Sequence, residues 1–341
     1  MPMFRSRVAP ALLVVAALAL GTACGSSAKA GGSGSSGSGK VDLVAYSTPQ
    51  EAYEAIESAF KDTPAGKDAD FTESYGASGD QSRAVAAGQP ADYVGFSLEP
   101  DMTRLVDAGL VSTNWNKNAT KGMVTDSVVV LVVRKGNPKH ITGWDDLTKP
   151  GIEVVNANPF SSGGARWNVM AAYGSQIEQG KTEDQAVQYL HDLYKNIKVQ
   201  DDSARKSLQT FTSGTGDVLL AYENEAKFAQ QQGEAIDYVV PDQTILIENP
   251  VALTTAGEKS ATARAFYKYV FTKPAQEIFY ENGYRPLNQE VTVDKAKFPT
   301  PPQLFTIAKF GGWDAVMKKF FDTDKSIMKD VEEGIGVSVE Q

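Results

Sequence analysis

The chain has 341 residues, with 33 Lys and Arg against 42 Asp and Glu, two His and one Cys. That length exceeds what one hydrophobic core usually serves, so two lobes are expected, and 42% hydrophobic with 22% charged residues is the balance of a soluble globular protein. The net charge of −9 argues against nucleic-acid binding, one Cys excludes an intrachain disulfide or a Cys-rich zinc site, and His140 and His191 stand too isolated for a His-rich metal centre.

In chain order, Arg5 and Arg7 precede the apolar run Val8–Leu20 and a patch of small residues, the pattern of a secretory signal peptide over residues 1–23. The run is too short and Ala-rich for a convincing spanning helix. Its end, Leu20-Gly21-Thr22-Ala23-Cys24, resembles a bacterial lipobox, which implies a lipidated Cys24 as the first mature residue. Gly21 stands where the lipobox usually has Leu; ordinary cleavage near Ala23, leaving a free thiol, is the alternative. Removal of residues 1–23 leaves 31 basic against 42 acidic residues, a formal −11. Residues 24–40, almost all Gly, Ser and Ala, cannot bury a core and read as a tether spanning roughly 20–24 Å.

The body then alternates. Strands are expected at Val41–Tyr46, Phe71–Tyr75, Tyr93–Phe96, Ser127–Val133, Ile152–Val155, Asp217–Tyr222, Tyr238–Val240 and Ile245–Leu253. Helices are expected at Gln50–Phe60, Gly79–Ala87, Asp101–Ala108, Ala165–Gln176, Glu183–Tyr194, Glu223–Gln231, Thr262–Val270 and Pro274–Tyr280. This is an α/β pattern: mostly parallel sheets flanked by helices, in two lobes with a cleft between them.

The strand-to-helix junctions carry small donors rather than catalytic groups. They are Tyr46-Ser47-Thr48-Pro49, Tyr75-Gly76-Ala77-Ser78-Gly79, Asn158 to Trp167 around Ser161-Ser162-Gly163-Gly164, Asp201-Asp202-Ser203-Ala204-Arg205, and Tyr222-Glu223-Asn224-Glu225. The first N–H groups of a helix lack internal partners, and the aligned peptide dipoles favour negative charge there. Each junction alone reads as an N-cap or a turn; five together read as an anion cradle.

The runs Arg134-Lys135-Gly136-Asn137-Pro138-Lys139, Ser161-Ser162-Gly163-Gly164-Ala165-Arg166-Trp167-Asn168, Glu223-Asn224-Glu225-Ala226, Glu248-Asn249-Pro250-Val251 and Tyr284-Arg285-Pro286 resemble those of the sulfate-binding protein family. These are extracytoplasmic receptors of sulfate/thiosulfate ABC importers, and the likeness covers Val41 to about Phe321. It implies the two-lobed type II periplasmic-binding fold, with lobe 1 from residues 41–126 and 248–341 and lobe 2 from residues 127–247. The hinges then fall near Thr125–Val128 and Ile247–Val251. It also implies a monomer on the outer face of the cell membrane, anchored through Cys24, with permease subunits as partners and no cofactor.

Carried over position by position, the resemblance implies that the anion is held by uncharged donors: the Ser78 hydroxyl, the Ser162 hydroxyl and N–H, and the N–H groups of Gly163, Gly164 and Ala204. Tyr222 stands where the family commonly has a Trp and can donate through its phenol. Ser47 replaces the Asp of the family's Tyr-Asp-Pro and adds a possible direct donor, while Asp80 replaces a common Lys. Arg166 and Arg205 read as braces for their loops. Sulfate is fully deprotonated near neutral pH, so a donors-only site satisfies it, whereas phosphate keeps a proton that such a site cannot accept. Thiosulfate, molybdate and tungstate, also tetrahedral dianions, are the alternative ligands. An exported hydrolase of sulfate or phosphate esters is the rival of another class; no Gly-x-Ser-x-Gly elbow, Ser-His-Asp set or metal-ligand cluster supports it.

Overall fold

The apolar run that opens the body becomes β1 (Lys40–Tyr46), nearly all of it buried. Its first residue lies inside the expected tether. The structure is a computed structural model that describes residues 39–337 and 339; the signal peptide, Cys24 and the rest of the tether lie outside the described residues. Strand β1 pairs in parallel with β2 (Asp70–Gly76) and β3 (Tyr93–Gly95). Parallel neighbours need crossovers, which α1 (Gln50–Lys61) and α2 (Ser78–Ala86) supply. Helix α3 (Glu99–Asp107) follows.

The second half-sheet repeats the arrangement. After β4 (Met123–Arg134) come β5 (Val154–Ala157), α4 (Gly163–Glu178), α5 (Glu183–Lys195), β6 (Ile197–Asp201), α6 (Ala204–Thr212), β7 (Val218–Tyr222), α7 (Glu223–Gln231) and β8 (Ile236–Val239). Here β5 is the central parallel strand, flanked by β6 and β7. The chain returns through β9 (Gln243–Leu253), α8 (Ala261–Tyr269), α9 (Lys273–Glu281), β10 (Arg285–Pro286), β11 (Gln303–Phe305), α10 (Gly312–Phe320) and α11 (Ile327–Gly334).

Two long antiparallel strands join the half-sheets, in the order β2-β1-β3-β9-β4-β7-β5-β6. Asn249 faces Thr125 and Leu246 faces Val128 across the β4–β9 ladder. Beyond it, β9 ends against β3 while β4 ends against β7 and β8. Alternate residues of a strand point to opposite faces, and each half-sheet is accordingly covered on both. Val41, Leu43 and Ala45 pack with Tyr53, Phe60 and Phe266, while Val44 packs with Phe96, Met102 and Leu105. Likewise Val129 and Leu131 face Trp167 and Leu190, and Val130 and Val132 face Leu208 and Phe211. This is the expected α/β fold of two lobes.

One part of the expected division is corrected. The expected lobe 1 includes all of residues 248–341, yet the chain from β11 onward packs on the half-sheet of lobe 2. Strand β11 pairs in parallel with the start of β9. Trp313 of α10 meets Trp167 edge-on at 4.6 Å, and Phe320, Met328 and Val331 complete the core around Tyr173 and Leu193. These apolar residues belong to short, widely separated segments, so sequence order does not reveal which face they cover. Among the described residues no helix is long and apolar enough to cross a membrane.

Candidate functional site

Four helices begin at one place. Helix α4 starts at Gly163 behind its cap Ser162, α6 at Ala204 behind Ser203, α7 directly after Tyr222, and α2 at Ser78. A β-carbon placed on Gly164 would stand 3.4 Å from Ala204 Cβ and 3.5 Å from both Ser162 Oγ and Tyr222 Cε1. One added methyl group there would touch the starts of α4, α6 and α7 together, so the three converge on Gly164. The lobe 1 side closes over them. A β-carbon on Gly163 would fall 2.5 Å from Leu98 Cδ2 and 2.8 Å from Ser97 Oγ, so only glycine admits this approach. The Gly79 N–H donates to the Ser161 carbonyl at 3.2 Å, joining the start of α2 to the loop before α4.

The donors divide into those already committed and those free to serve a ligand. The Ser162 N–H is spent on the Asn158 carbonyl at 2.8 Å, so the expectation that it serves an anion is corrected. The Ser162 hydroxyl accepts from the Ala165 N–H at 3.4 Å, which leaves its own hydrogen available. Gly163, Gly164 and Ala204 occupy the first turns of their helices, ahead of any intrahelical acceptor. The Ser47 oxygen accepts a long bond, 3.5 Å, from the Arg205 N–H next to Ala204. The Ser78 hydroxyl is a different case: it donates to Asp101 Oδ2 at 2.6 Å and accepts from the Ser97 N–H at 2.9 Å. Its single hydrogen is thus directed away from the cradle, at a buried carboxylate that Arg104 also holds at 3.0 Å.

Ser97, which the sequence reading did not single out, lies at the centre of this network. It stands between a three-residue strand ending in Gly95 and the start of α3, where Glu99, Pro100 and Asp101 mark a sixth strand-to-helix junction that could have signalled it. Its hydroxyl lies 2.6 Å from the Tyr222 phenol. Burial holds that phenol well above the ordinary tyrosine range, so Tyr222 keeps its proton and remains a donor. Ser78, Ser97, Ser162 and Tyr222 are each at most 2% exposed, so whatever they surround is desolvated.

The guanidinium groups around the cluster are engaged elsewhere: Arg104 bonds Asp101 and Ser82, Arg83 pairs with Asp80, Arg166 bonds a carbonyl of its own loop and Arg205 two carboxylates. Buried Arg166 donates from Nε to the Pro159 carbonyl at 2.8 Å and lies over the Phe321 ring; burial lowers its pKa from the ordinary value. Arg205 is neutralised twice. Its Nε and Nη2 reach Glu225 at 2.9 Å, and both of its terminal nitrogens bond Glu51. Burial opposes its charge, but the Glu225 and Glu51 carboxylates outweigh burial and hold it cationic. Arg205 Nη2 also donates to the Thr48 carbonyl at 2.9 Å, so this node ties α6 to the loop and helix after β1. Both arginines therefore stand as braces of their loops. Among the described residues no group of three or more His, Cys, Asp or Glu could hold a metal ion.

A sequence profile of bacterial extracellular solute-binding proteins matches residues 41–285. A sulfate-binding protein of Synechococcus elongatus is 42% identical over 327 residues, which cover 93% of each chain. The chain belongs to the sulfate-binding protein family. Among solved structures, the sulfate-binding protein SubI from Mycobacterium tuberculosis H37Rv superimposes with a TM-score of 0.80 at 42% identity, over 83% of this chain and 99% of that one. A thiosulfate-binding protein of Pseudomonas aeruginosa is 33% identical over 292 residues, 82% of this family member and 88% of the relative.

Proposed function

We propose that this family member captures sulfate between its lobes through uncharged hydrogen-bond donors and delivers it to an ABC importer. One observation carries the reading: four helix N-termini and their small donors meet in a buried cluster whose neighbouring guanidiniums are engaged elsewhere. In the proposal the anion takes the N–H groups of Gly163, Gly164 and Ala204, the Ser162 hydroxyl, and the hydroxyls of Ser47 and Tyr222. Ser78 supports the lobe 1 wall through Asp101. Hydrogen bonds to an ion contribute roughly 1.5–3 kcal/mol each, so six offset the cost of desolvating a dianion only if all are well aimed. Lipid attachment at Cys24 would hold the body at the outer face of the membrane as a monomer. The lobes would move about the β4–β9 ladder, near Thr125–Val128 and Ile247–Val251.

Thiosulfate is the second reading, favoured by the 33% identical thiosulfate-binding relative; molybdate and tungstate share the charge and tetrahedral shape. The test is a calorimetric titration of residues 40–341, stripped of ligand by unfolding and refolding, with sulfate, thiosulfate, molybdate and phosphate side by side. Tight 1:1 sulfate binding with phosphate rejected is the expected result. Tight phosphate binding, or silence toward all four, would contradict the proposal.

A further inference from the structure

Every polar atom of Ser97 is engaged, and on both sides of the cleft. From lobe 1, its N–H donates to Ser78 Oγ at 2.9 Å and its carbonyl accepts from Asn249 Nδ2 at 3.1 Å. From lobe 2, the same carbonyl accepts from Trp167 Nε1 at 2.8 Å, and its hydroxyl pairs with the Tyr222 phenol at 2.6 Å. Its Cβ and Oγ lie against the bare α-carbon of Gly163. Ser97 is 0% exposed, as is Trp167, and Tyr222 is 1% exposed. Separating the lobes would strand a buried hydroxyl on each side and an indole N–H, unless water replaced the lost bonds.

We infer that Ser97 is a positioning residue that sets how long the ligand stays bound, because its bond to Tyr222 and its carbonyl bond to Trp167 form only when the lobes meet. Of the two hydroxyl hydrogens in the Ser97–Tyr222 pair, one is consumed between the oxygens. The other is left to point outward, and either oxygen can supply it. The pair thus fixes the Tyr222 ring beside Gly164 and keeps one donor facing the cradle. Ser97 needs no contact with the anion for this. The inference rests on the interlobe reading of the site, but not on sulfate being the ligand.

Purified exported protein, wild type, Ser97→Ala, Tyr222→Phe and the double variant, would be compared by stopped-flow with sulfate. Tryptophan emission is the signal, since Trp167 bonds Ser97 and stacks edge-on with Trp313. Ser97→Ala is expected to raise the dissociation rate roughly tenfold, the worth of one buried hydrogen bond, with the association rate and the melting temperature of the ligand-free protein unchanged. Each single variant leaves a lone buried hydroxyl, so the double variant should lose no more than the worse single one. An unchanged dissociation rate in Ser97→Ala would overturn the inference. So would additive losses, or a fall in ligand-free stability as large as the fall in affinity. A wild type that ignores sulfate sinks the sulfate reading alone; the same rates, read with thiosulfate or molybdate, then decide this inference by the same criterion.

Discussion

The two walls of the cleft are built on different principles. On lobe 2, Gly163, Gly164 and Ala204 offer backbone N–H groups whose direction follows from standing in the first turn of a helix. On lobe 1, Ser47, Ser78 and Ser97 offer hydroxyls, and a hydroxyl hydrogen goes wherever its tertiary surroundings send it. The hydrogen of Ser78 goes to Asp101, and the oxygen of Ser97 is engaged by Tyr222. In the proposed site, lobe 2 would therefore read an anion by local geometry, and lobe 1 would position it through a network. That difference decides which substitutions should abolish binding and which should only loosen it.

The largest effect is expected on lobe 2. Gly163→Asp should eliminate sulfate binding, because its β-carbon alone falls 2.8 Å from Ser97 Oγ and its carboxylate adds like charge. Calorimetry should show no heat while circular dichroism shows the native fold; retained affinity would dissolve the distinction between the walls. Arg205→Gln comes next. It leaves Glu225, 1% exposed, without its cation, and loss of one partner of a buried pair costs about 3–5 kcal/mol in a denaturant titration. Binding lost with stability intact would instead place Arg205 against the anion.

Glu332→Gln tests the strand that carries the lobe 2 wall. Glu332 of α11 is fully buried, accepts from Gln200 of β6 at 2.7 Å through one oxygen, and has no hydrogen-bond partner among the described residues for the other. Burial pushes its carboxyl up to about 7 from an ordinary 4.5. The fold thus favours the neutral form. Its contribution is intact below pH 4.5, falls as pH rises through that window, and is lost above about 7. Wild type should lose up to about 3 kcal/mol of stability between pH 5 and 8 from this group, and the Gln variant should not. Parallel stability curves would contradict this; sulfate affinity should be unchanged in either case. The smallest effect belongs to Ser78→Ala, which strands Asp101 Oδ2 and the Ser97 N–H and should cost about 1–3 kcal/mol. If Ser78 supports the wall, part of that loss appears in ligand-free stability; a loss confined to binding would return Ser78 to the anion's contacts.

The same contrast governs how much of the molecule the sequence makes legible. The alternation of strands and helices and the helix-start donors are local signals, and from β1 to α5 and from β7 to α9 the expected elements lie at or near their observed positions. The junction Asp201–Arg205 is legible, but the extents of β6 and α6 on either side of it are not, since Ile197–Asp201 is half exposed and polar, giving neither a run nor an alternation. The C-terminal helices fill lobe 2 only by way of β11 pairing beside β9, a nonlocal event. The helix-start signal Glu99-Pro100-Asp101 marks a junction at Ser97, but nothing local shows what its polar atoms bond. Its role comes from Gly163, Trp167, Tyr222 and Asn249, residues 66 to 152 positions away that topology brings to it. The fate of the Ser78 hydrogen was hidden for the same reason, since Asp101 lies 23 residues on.

In the proposed site a dianion is held without contact to any cation, and a crystal structure of the sulfate complex is the decisive experiment. Every sulfate oxygen is expected within hydrogen-bond distance of N–H or O–H groups from Ser47, Ser162, Gly163, Gly164, Ala204 and Tyr222, with Arg166 still on the Pro159 carbonyl and Arg205 still between Glu51 and Glu225. A guanidinium or ammonium nitrogen in direct contact with a sulfate oxygen would contradict it.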